Sequence, residues 1–445
     1  MRTLILFLLF AAPAGAGELK LTLKAAEESA LATSGQYQAA RLSAESAAAG
    51  AAAASTLLYP RLALEGSLRY ASVVPQINLP PVMGGPKPMG DNWNYSIGPS
   101  AYWTLDTGAL RYGRDASRRS AEARSAEAEA ARRQTVLKAR AAYFRLQLAL
   151  EKTYLIGEDL KLAQSQLKDV ELGVKAGSRS RLDGIRARQE ATSRRRDLVR
   201  ARADLGTALR DLAFETGIAL PDYSGLPLDA RMTGGDYDGG PGPLIRAEAY
   251  EEMIPALMPA ASRPLDGELP TVTALAKSEA SFRASALAQK RELLPRLTLG
   301  ARSSIDYPNG PNIYSFLQNS ASLALALPLF ESGRQADRTR EARLNAEAAA
   351  ARRGDALRAA ERDYASALED YNALMEEQTI NVDAVDDADE AARLAYEAYK
   401  AGAGTWLDVE SANLKALQAK TTLASANAEI LLKLALLDSL TGSVK

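Results

Sequence analysis

The sequence predicts a mainly α-helical fold with an added membrane β component. We expect two tandem repeats. Each gives two β-strands to a shared transmembrane barrel and continues into a long antiparallel α-helical hairpin that forms part of an α-barrel. Three observations predict this fold class. A helical run is far longer than an ordinary globular helix, the same run occurs twice, and two strands of alternating polarity precede each copy.

The long helical run starts after Gly108 and ends at Gly217. Its first arm contains no proline, and charged residues recur every few positions, which excludes a transmembrane helix. Apolar and small residues in this arm repeat at heptad spacing, which is the geometry of a coiled coil. One such seam comprises Ala139, Leu146, Thr153, Leu160, Leu167 and Val174. A glycine-containing segment at 173–181 predicts a turn, so the second arm returns antiparallel to the first.

The same hairpin occurs again later in the chain. The separation between Gly108 and Gly333 is 225 residues, and the same separation relates Gly177 to Gly402 in the two predicted turns. Alanine-rich helices can resemble one another by composition alone. Glycines that coincide at the start, the turn and the end of both runs favour a true duplication instead. The two predicted hairpins are 109–217 and 334–442.

The composition excludes several classes of protein. The chain has 445 residues, a formal net charge of −1, no Cys and no His. Thiolate chemistry, imidazole metal sites and histidine-based catalytic triads are therefore excluded. No glycine-rich phosphate loop opens a helix, and the balanced charge gives no reason to expect nucleic acid as a partner. We expect neither an enzyme nor a cofactor or metal site.

The N-terminus resembles an export signal. Arg2 precedes the apolar run Leu4–Ala12, and Ala14-Gly15-Ala16 fits a signal-peptidase site, so 1–16 is predicted to be a signal peptide. A buried N-terminal helix is the alternative. Gly17 follows the predicted cleavage site where a lipid anchor would need Cys. The mature chain is expected in the bacterial envelope without such an anchor.

Period-two alternation occurs just before each hairpin. In both repeats a Pro–Arg step ends an alanine-rich helical segment, and two segments follow with apolar residues on one face and polar residues on the other. Their lengths suit tilted membrane strands, and the aromatic residues near their ends suit membrane interfaces. A hairpin half-buried on a soluble core is the alternative. The predicted strands are about 61–74 and 94–105 in the first repeat, and about 296–307 and 316–329 in the second.

These signals divide the mature chain into two repeats and a linker. The first repeat is 17–217, the linker is 218–270, and the second repeat is 271–445. Proline and glycine cluster in the linker, where a short helix is expected at 244–258. We interpret the linker as an equatorial belt outside the helical hairpins, or as a partly disordered segment.

Four membrane strands cannot close a barrel. The smallest barrels have about eight strands, and an open edge in lipid would leave backbone groups unpaired. Several chains must therefore share one barrel. Two chains would give about eight strands, and three would give about twelve.

The order of these features resembles the TolC-type outer-membrane factor family, also called outer membrane efflux proteins. The residues that carry the resemblance are the signal peptide, the Leu57–Pro60 helix exit, its echo at Leu293–Arg296, the Leu327–Gly333 junction and the segment Tyr399–Asp408. The resemblance covers nearly the whole mature chain. It implies a homotrimer that shares a twelve-stranded barrel in outer-membrane lipid and a periplasmic α-helical barrel. It also implies partners, a periplasmic adaptor (membrane fusion protein) and an inner-membrane pump, in efflux or type I secretion.

The resemblance also implies roles for residues at the hairpin turns. A periplasmic gate is expected at Asp183, Tyr399, Thr405 and Asp408. Tip turns that dock the adaptor are expected at Gly173, Gly177, Arg179, Arg181, Gly402 and Gly404. Asp408 matches a position that forms an acidic ring, and a three-fold axis would turn one inward carboxylate into three that attract cations. The chain departs from some family members at Gly404, where they have Arg, and at Ser411, where they have a second acid.

Each of these residues also has a purely local interpretation. Asp183 and Asp408 follow a turn and begin a helix, so they could act only as N-caps. Tyr399 could be an ordinary buried seam residue. Arg179 and Arg181 could be solvated turn charges.

The expected function is a passive export duct at the outer membrane, with energy supplied by a partner pump. A periplasmic adaptor also uses a helical hairpin, but it would carry glycine-rich lipoyl-like β segments around a single hairpin. A coiled-coil envelope scaffold without a pore would not need strands with one polar and one apolar face.

Overall fold

The computed structural model describes residues 19–83, 85–106, 108–219 and 245–442. The predicted signal peptide at 1–16 and the part of the linker at 220–244 lie outside the described residues.

Long α-helices dominate the described residues. The helices are α1 (Leu23–Thr33), α2 (Gly35–Thr56), α3 (Ala109–Lys175), α4 (Arg181–Thr216), α5 (Tyr250–Leu257), α6 (Pro270–Arg291), α7 (Arg334–Lys400) and α8 (Trp406–Thr441). The strands are β1 (Leu19–Leu21), β2 (Arg61–Tyr70), β3 (Gln76–Ile77), β4 (Lys87–Pro88), β5 (Trp93–Leu105), β6 (Ile245–Ala247), β7 (Arg296–Tyr307) and β8 (Phe316–Ala326).

The two hairpins have identical dimensions. Helices α3 and α7 each contain 67 residues, and α4 and α8 each contain 36. Every boundary of the second hairpin follows its counterpart in the first by the offset found in the sequence. A coiled coil explains this constancy, because an inserted residue would move the apolar seam off its partner.

The long strands form an antiparallel sheet in the order β2-β5-β7-β8. Within the described residues β2 and β8 pair on one side only, so both outer edges of the sheet are open. Two predicted strand ends were wrong. The first strand ends at Tyr70 and not at 74, and the last ends at Ala326 and not at 329. Ala326 pairs with Arg296, the first residue of β7 after Pro295, so the ladder has no partner beyond that point.

A proline lies inside β5, which is a central strand. The ladder between β5 and β7 pairs Ile97 with Ile305 and Ser100 with Arg302, and it is interrupted between them at Gly98 and Pro99. Proline has no N–H to donate. A Cβ atom at Gly98 would overlap the carbonyl oxygen of Ser303, so β7 approaches β5 closely there. Period-two alternation along a strand does not predict this irregularity.

Contacts divide the chain into two compact units, and each takes segments from both repeats. The hairpin unit contains the described residues of Met1–Ala39, Ala130–Leu269 and Arg358–Lys445. The strand unit contains those of Ala40–Glu129 and Pro270–Leu357. The four-stranded sheet lies in the strand unit, and both hairpin turns lie in the hairpin unit.

The predicted coiled-coil seam lies in the core of the hairpin unit. Ala139, Leu146, Thr153 and Leu160 are all buried, and Leu167 and Val174 pack against a second apolar cluster nearer the turns. The side chain of Tyr143 is also fully buried in this core.

The described part of the linker packs on this core. The helix expected at 244–258 was wrong in extent, because β6 precedes α5 and pairs in parallel with β1. The Tyr143 hydroxyl joins the two short strands. It donates to the Leu21 carbonyl at 2.8 Å and accepts from the Glu248 amide at 3.0 Å. Ile245 and Met253 are buried, so this stretch of the linker is an integral part of the hairpin unit.

None of the helices among the described residues combines the length and the apolar character that a membrane crossing needs. The same residues contain no cluster of three or more acidic side chains suited to a metal ion.

Candidate functional site at the hairpin turns

The first hairpin turn is a Schellman motif. The Ser178 amide donates to the Gly173 carbonyl at 2.9 Å, and the Gly177 amide donates to the Val174 carbonyl at 3.1 Å. Gly177 has φ of +73°, a left-handed conformation that favours glycine. These bonds satisfy carbonyls at the end of α3 that have no partner within the helix.

The second hairpin turn repeats the motif. The Ala403 amide donates to the Ala398 carbonyl at 2.9 Å, and the Gly402 amide donates to the Tyr399 carbonyl at 3.1 Å. Gly402 has φ of +77°. Both predicted turn glycines therefore occupy the position that reverses the chain.

Each turn ends in a side-chain cap, but the capping residues differ from the expectation. Ser180 and Thr405 are the N-caps of α4 and α8, and Asp183 and Asp408 stand three residues later. The interpretation of the two aspartates as N-caps was therefore wrong by three positions. Thr405 and Asp408 form a capping box, in which the Thr405 amide donates to the Asp408 carboxylate at 2.9 Å.

The Asp408 carboxylate is exposed and held by these local bonds. The Thr405 hydroxyl donates to it at 2.7 Å, and this bond, more than the backbone amide, holds the pKa of Asp408 below its ordinary value. Asp408 therefore stays ionised at neutral and mildly acid pH. In the first hairpin the Asp183 amide donates to Ser180 at 3.1 Å, and its carboxylate is half-buried.

An aromatic pair lies beneath the second turn. Tyr399 is 4% exposed and Trp406 is 1% exposed, and their rings meet edge to face with centroids 5.2 Å apart. They pack with Val170, Ala187 and Val409 into the apolar cluster near the turns. Neither the Tyr399 hydroxyl nor the Trp406 indole N–H has a hydrogen-bond partner among the described residues.

Arg179 of the first turn reaches the second hairpin. Its guanidinium carbon lies 4.2 Å from the centre of the Tyr399 ring, and its Nη2 donates to the Lys400 carbonyl at 2.8 Å. The contact combines a cation–π interaction with a charged bond to the C-terminal carbonyls of α7, where the helix dipole is negative. A side chain at Gly173 would meet the Arg179 stem, so this glycine gives the arginine its path.

One further contact joins the hairpins close to the turns, and another lies within α7. The Tyr396 hydroxyl donates to the Asp169 carboxylate at 2.6 Å, and the Lys400 amine lies 4.5 Å from the Tyr396 ring centre.

Burial raises the pKa of the Tyr399 hydroxyl, the Asp183 carboxylate raises it further, and Arg179 opposes both. The phenol of Tyr399 is thus neutral under physiological conditions.

The comparisons with known proteins identify the family. The family model described as "Outer membrane efflux protein" matches residues 26–217 and 267–443. The chain belongs to this family. It is accordingly an outer membrane efflux protein. A comparison with curated protein sequences found no match.

Solved structures of outer-membrane channels have the same fold as this efflux protein. The outer-membrane channel OprN is 20% identical, with 95% of this chain and 90% of that chain covered and a TM-score of 0.74. VceC from Vibrio cholerae is 20% identical, with coverage of 94% and 96% and a TM-score of 0.74. The open state of the Neisseria gonorrhoeae MtrE channel is 21% identical, with coverage of 97% and 93% and a TM-score of 0.72.

The efflux protein brings some of the expected site residues together and separates others. Arg179, Asp183 and Tyr399 form one group, in which Gly173 leaves room for the arginine. Thr405 and Asp408 bond to each other at the surface, and Arg181 is exposed. Gly404 lies against the backbone of Tyr399. Arg179 is not the solvated turn charge that the local interpretation favoured.

The hairpin unit of the efflux protein also contains a buried polar cluster that was not predicted from the sequence. Asn413 of α8 donates to Gln166 of α3 at 2.9 Å and to Glu190 of α4 at 3.5 Å. Arg194 lies 2.6 Å from the Asp159 carboxylate and 4.0 Å from that of Glu190. Burial raises the pKa of both carboxyls, and Arg194 opposes the shift. Polar residues on the inward side of coiled-coil helices were the signal that could have found this cluster.

Proposed function

We propose that three copies of this chain assemble one continuous efflux duct. The observation that carries the proposal is the four-stranded sheet of the strand unit, whose edge strands β2 and β8 each pair on one side only among the described residues. Leu62, Leu68 and Leu323 project from one face of the sheet and are largely exposed. In a lipid bilayer such a sheet requires closure, because unpaired backbone groups are costly there.

Three chains fit a duct better than two. Two sheets would give a barrel of about eight strands, whose interior is filled by its own side chains. Three sheets would give about twelve strands and leave an open lumen. The resemblance of the sequence to trimeric channels supports the same number.

The hairpin turns are proposed to form the closed periplasmic tip of the duct. The contact of Arg179 with Tyr399 and the Lys400 carbonyl ties the two hairpins of one chain together. Arg179 thus takes the place of the arginine that some family members have at the position of Gly404. Opening would separate the hairpins and break this contact. In the assembled trimer Asp408 would contribute three carboxylates to a cation-attracting constriction.

The exposed turns are proposed to dock a periplasmic adaptor that links the duct to an inner-membrane pump. Arg181 is exposed on the first turn, and Leu182 and Leu407 are exposed at the starts of α4 and α8. The exposed cation and the two exposed leucines are a mixture that suits a protein partner. The duct itself is passive, and the pump supplies the energy for transport.

The proposal is tested by measuring the mass of detergent-extracted protein and its conductance in planar bilayers. Three chains per particle and stable single-channel currents are expected. Deletion of the β8 edge should abolish both, since closure needs every edge. A monomer without conductance would overturn the duct and favour the scaffold alternative. A particle of two chains would retain a barrel but overturn the trimer.

A further inference from the structure

The charged residues of the four long strands all project from one face of the sheet. Strand β2 carries three of them, β7 carries three, and β5 and β8 carry none. Within each strand their successive positions differ by four or six, so they share a face of that strand. The register places both sets on the same face of the sheet, because Ala63 of β2 pairs with Ser100 and Ser100 pairs with Arg302 of β7. The charged residues are Arg61, Glu65, Arg69, Arg296, Arg302 and Asp306. The face therefore carries a net positive charge, because its arginines outnumber its carboxylates by four to two.

This charged face must be the inner face of a membrane barrel. The opposite face carries no charged residue in any of the four strands and presents Leu62, Leu64 and Leu323 to the outside. Arginine is costly on the lipid side of a barrel, whereas a water-filled lumen accepts it. This step rests on the proposed duct.

Both carboxylates of this face accept hydrogen bonds from neighbouring hydroxyl groups. Glu65 accepts a hydrogen bond from the Tyr102 hydroxyl at 3.2 Å. Asp306 accepts from the Ser96 hydroxyl at 2.5 Å, and that hydroxyl in turn accepts from Arg302 at 2.7 Å. Asp306 and Arg302 are thus joined through one serine and largely offset each other.

The other three arginines of the face are Arg61, Arg69 and Arg296. In the part of the chain that the structure describes, Arg61, Arg69 and Arg296 form no ion pair with a carboxylate. Arg61 and Arg296 begin β2 and β7, the strands that follow α2 and α6, so both lie at the helix-linked end of the sheet. Arg69 lies near the other end of β2.

We propose that the barrel lumen of this duct attracts polyvalent anions, and that Arg61, Arg69 and Arg296 are the residues that hold them. The face of one sheet has an excess of two positive charges, and a three-fold assembly concentrates three such faces around one lumen. Guanidinium groups match oxyanions in charge and in hydrogen-bond geometry. A narrow lumen with apolar outer walls focuses this field, whereas the acidic residues at the hairpin turns favour cations.

The test uses inorganic tripolyphosphate as the probe on the full-length protein in planar bilayers. It should reduce the single-channel current when added on one side only, and the block should weaken as salt rises. The double variant Arg61→Gln/Arg296→Gln should raise the half-blocking concentration about tenfold or more, since six charges leave the assembled lumen. Glu65→Gln is the matched control of opposite sign and should lower that concentration.

A second measurement does not require an open tip. Tripolyphosphate should raise the unfolding temperature of the purified assembly, and the double variant should lose most of this increase. Equal block and equal thermal shift in the wild type and the double variant would overturn the anion site and leave the duct intact. A wild-type chain that neither assembles nor conducts would overturn the proposed duct, and the lumen with it.

Discussion

The guanidinium of Arg179 stacks on the ring of Tyr399 at 4.2 Å and so joins the first hairpin turn to the second hairpin. The same guanidinium bonds the Lys400 carbonyl at 2.8 Å, although the two residues are 221 positions apart in the chain. A single arginine thereby couples the ends of two coiled coils that also meet through an apolar cluster and through the Tyr396–Asp169 hydrogen bond.

Loss of Arg179 should loosen this contact. We expect Arg179→Ala to destabilise the contact between the hairpins by about 2–4 kcal/mol, the sum of a cation–π contact and a charged hydrogen bond. In planar bilayers the variant should conduct several times more than the wild type if the contact keeps the tip closed. Arg181→Ala is the control, because Arg181 is exposed on the same turn. Equal conductance of the two variants would contradict a role of Arg179 in closure.

The turn glycines should resist substitution. Gly177 has φ of +73°, so Gly177→Ala should lower the free energy of unfolding by about 1–2 kcal/mol. Gly157 lies inside α3 with nothing near its missing side chain, so Gly157→Ala should stabilise the protein by up to about 1 kcal/mol. Thermal unfolding of both variants is the measurement. A stabilised Gly177→Ala protein would show that the turn does not need the left-handed conformation.

Two variants of Asp408 separate its capping role from a role in a gate. Asp408→Asn keeps an oxygen for the Thr405 amide and hydroxyl, whereas Asp408→Ala removes it. The unfolding temperature should fall clearly in the Ala variant and little in the Asn variant. Cation selectivity, measured as a reversal potential in a salt gradient, should fall in both if the carboxylates line a constriction. Unchanged selectivity in both variants would reduce Asp408 to a helix cap.

The buried cluster around Glu190 should make stability depend on pH. Burial raises the pKa of this carboxyl above its ordinary value of 4.5, so the folded protein holds the proton more tightly than the unfolded chain does. The relative stabilisation is complete below the ordinary pKa. It is lost as the pH rises from that value towards the raised one.

Glu190→Gln removes this contribution. The stability of the wild type relative to the variant should fall as the pH rises from about 4 towards neutrality. Some pH dependence should persist in the variant, because burial also raises the pKa of Asp159. Glu361→Gln, at an exposed position of α7, should follow the wild-type profile. Parallel profiles for the wild type and Glu190→Gln would show that Glu190 does not titrate in this range.

The sequence predicted best those features that depend on neighbouring residues. The helical arms follow from heptad spacing, and the turns follow from Gly177 and Gly402, whose conformation is set within a few residues. The constant offset between repeats fixed the second hairpin once the first was known. The N-caps Ser180 and Thr405 directly precede their helices, so the sequence contains the signal for them, although the prediction placed the caps at the aspartates three residues later.

Contacts between segments that are distant in the chain could not be predicted from local sequence patterns. The interruption of the sheet at Gly98 depends on how closely β7 approaches β5, and no local pattern encodes that distance. The parallel pairing of β1 with β6 was missed because each strand has only three residues and so leaves almost no periodicity.

The sequence by itself determined the duplicated hairpins, the alternating strands and the family resemblance, because each is written in periodicities and spacings along the chain. Only the tertiary structure decided which charges meet. It placed Arg179 on Tyr399 and, among the residues it describes, gave Arg61 and Arg296 no ion pair with a carboxylate. The physical reason is that a side chain's electrostatic partners are set by packing between elements that the chain order keeps hundreds of residues apart.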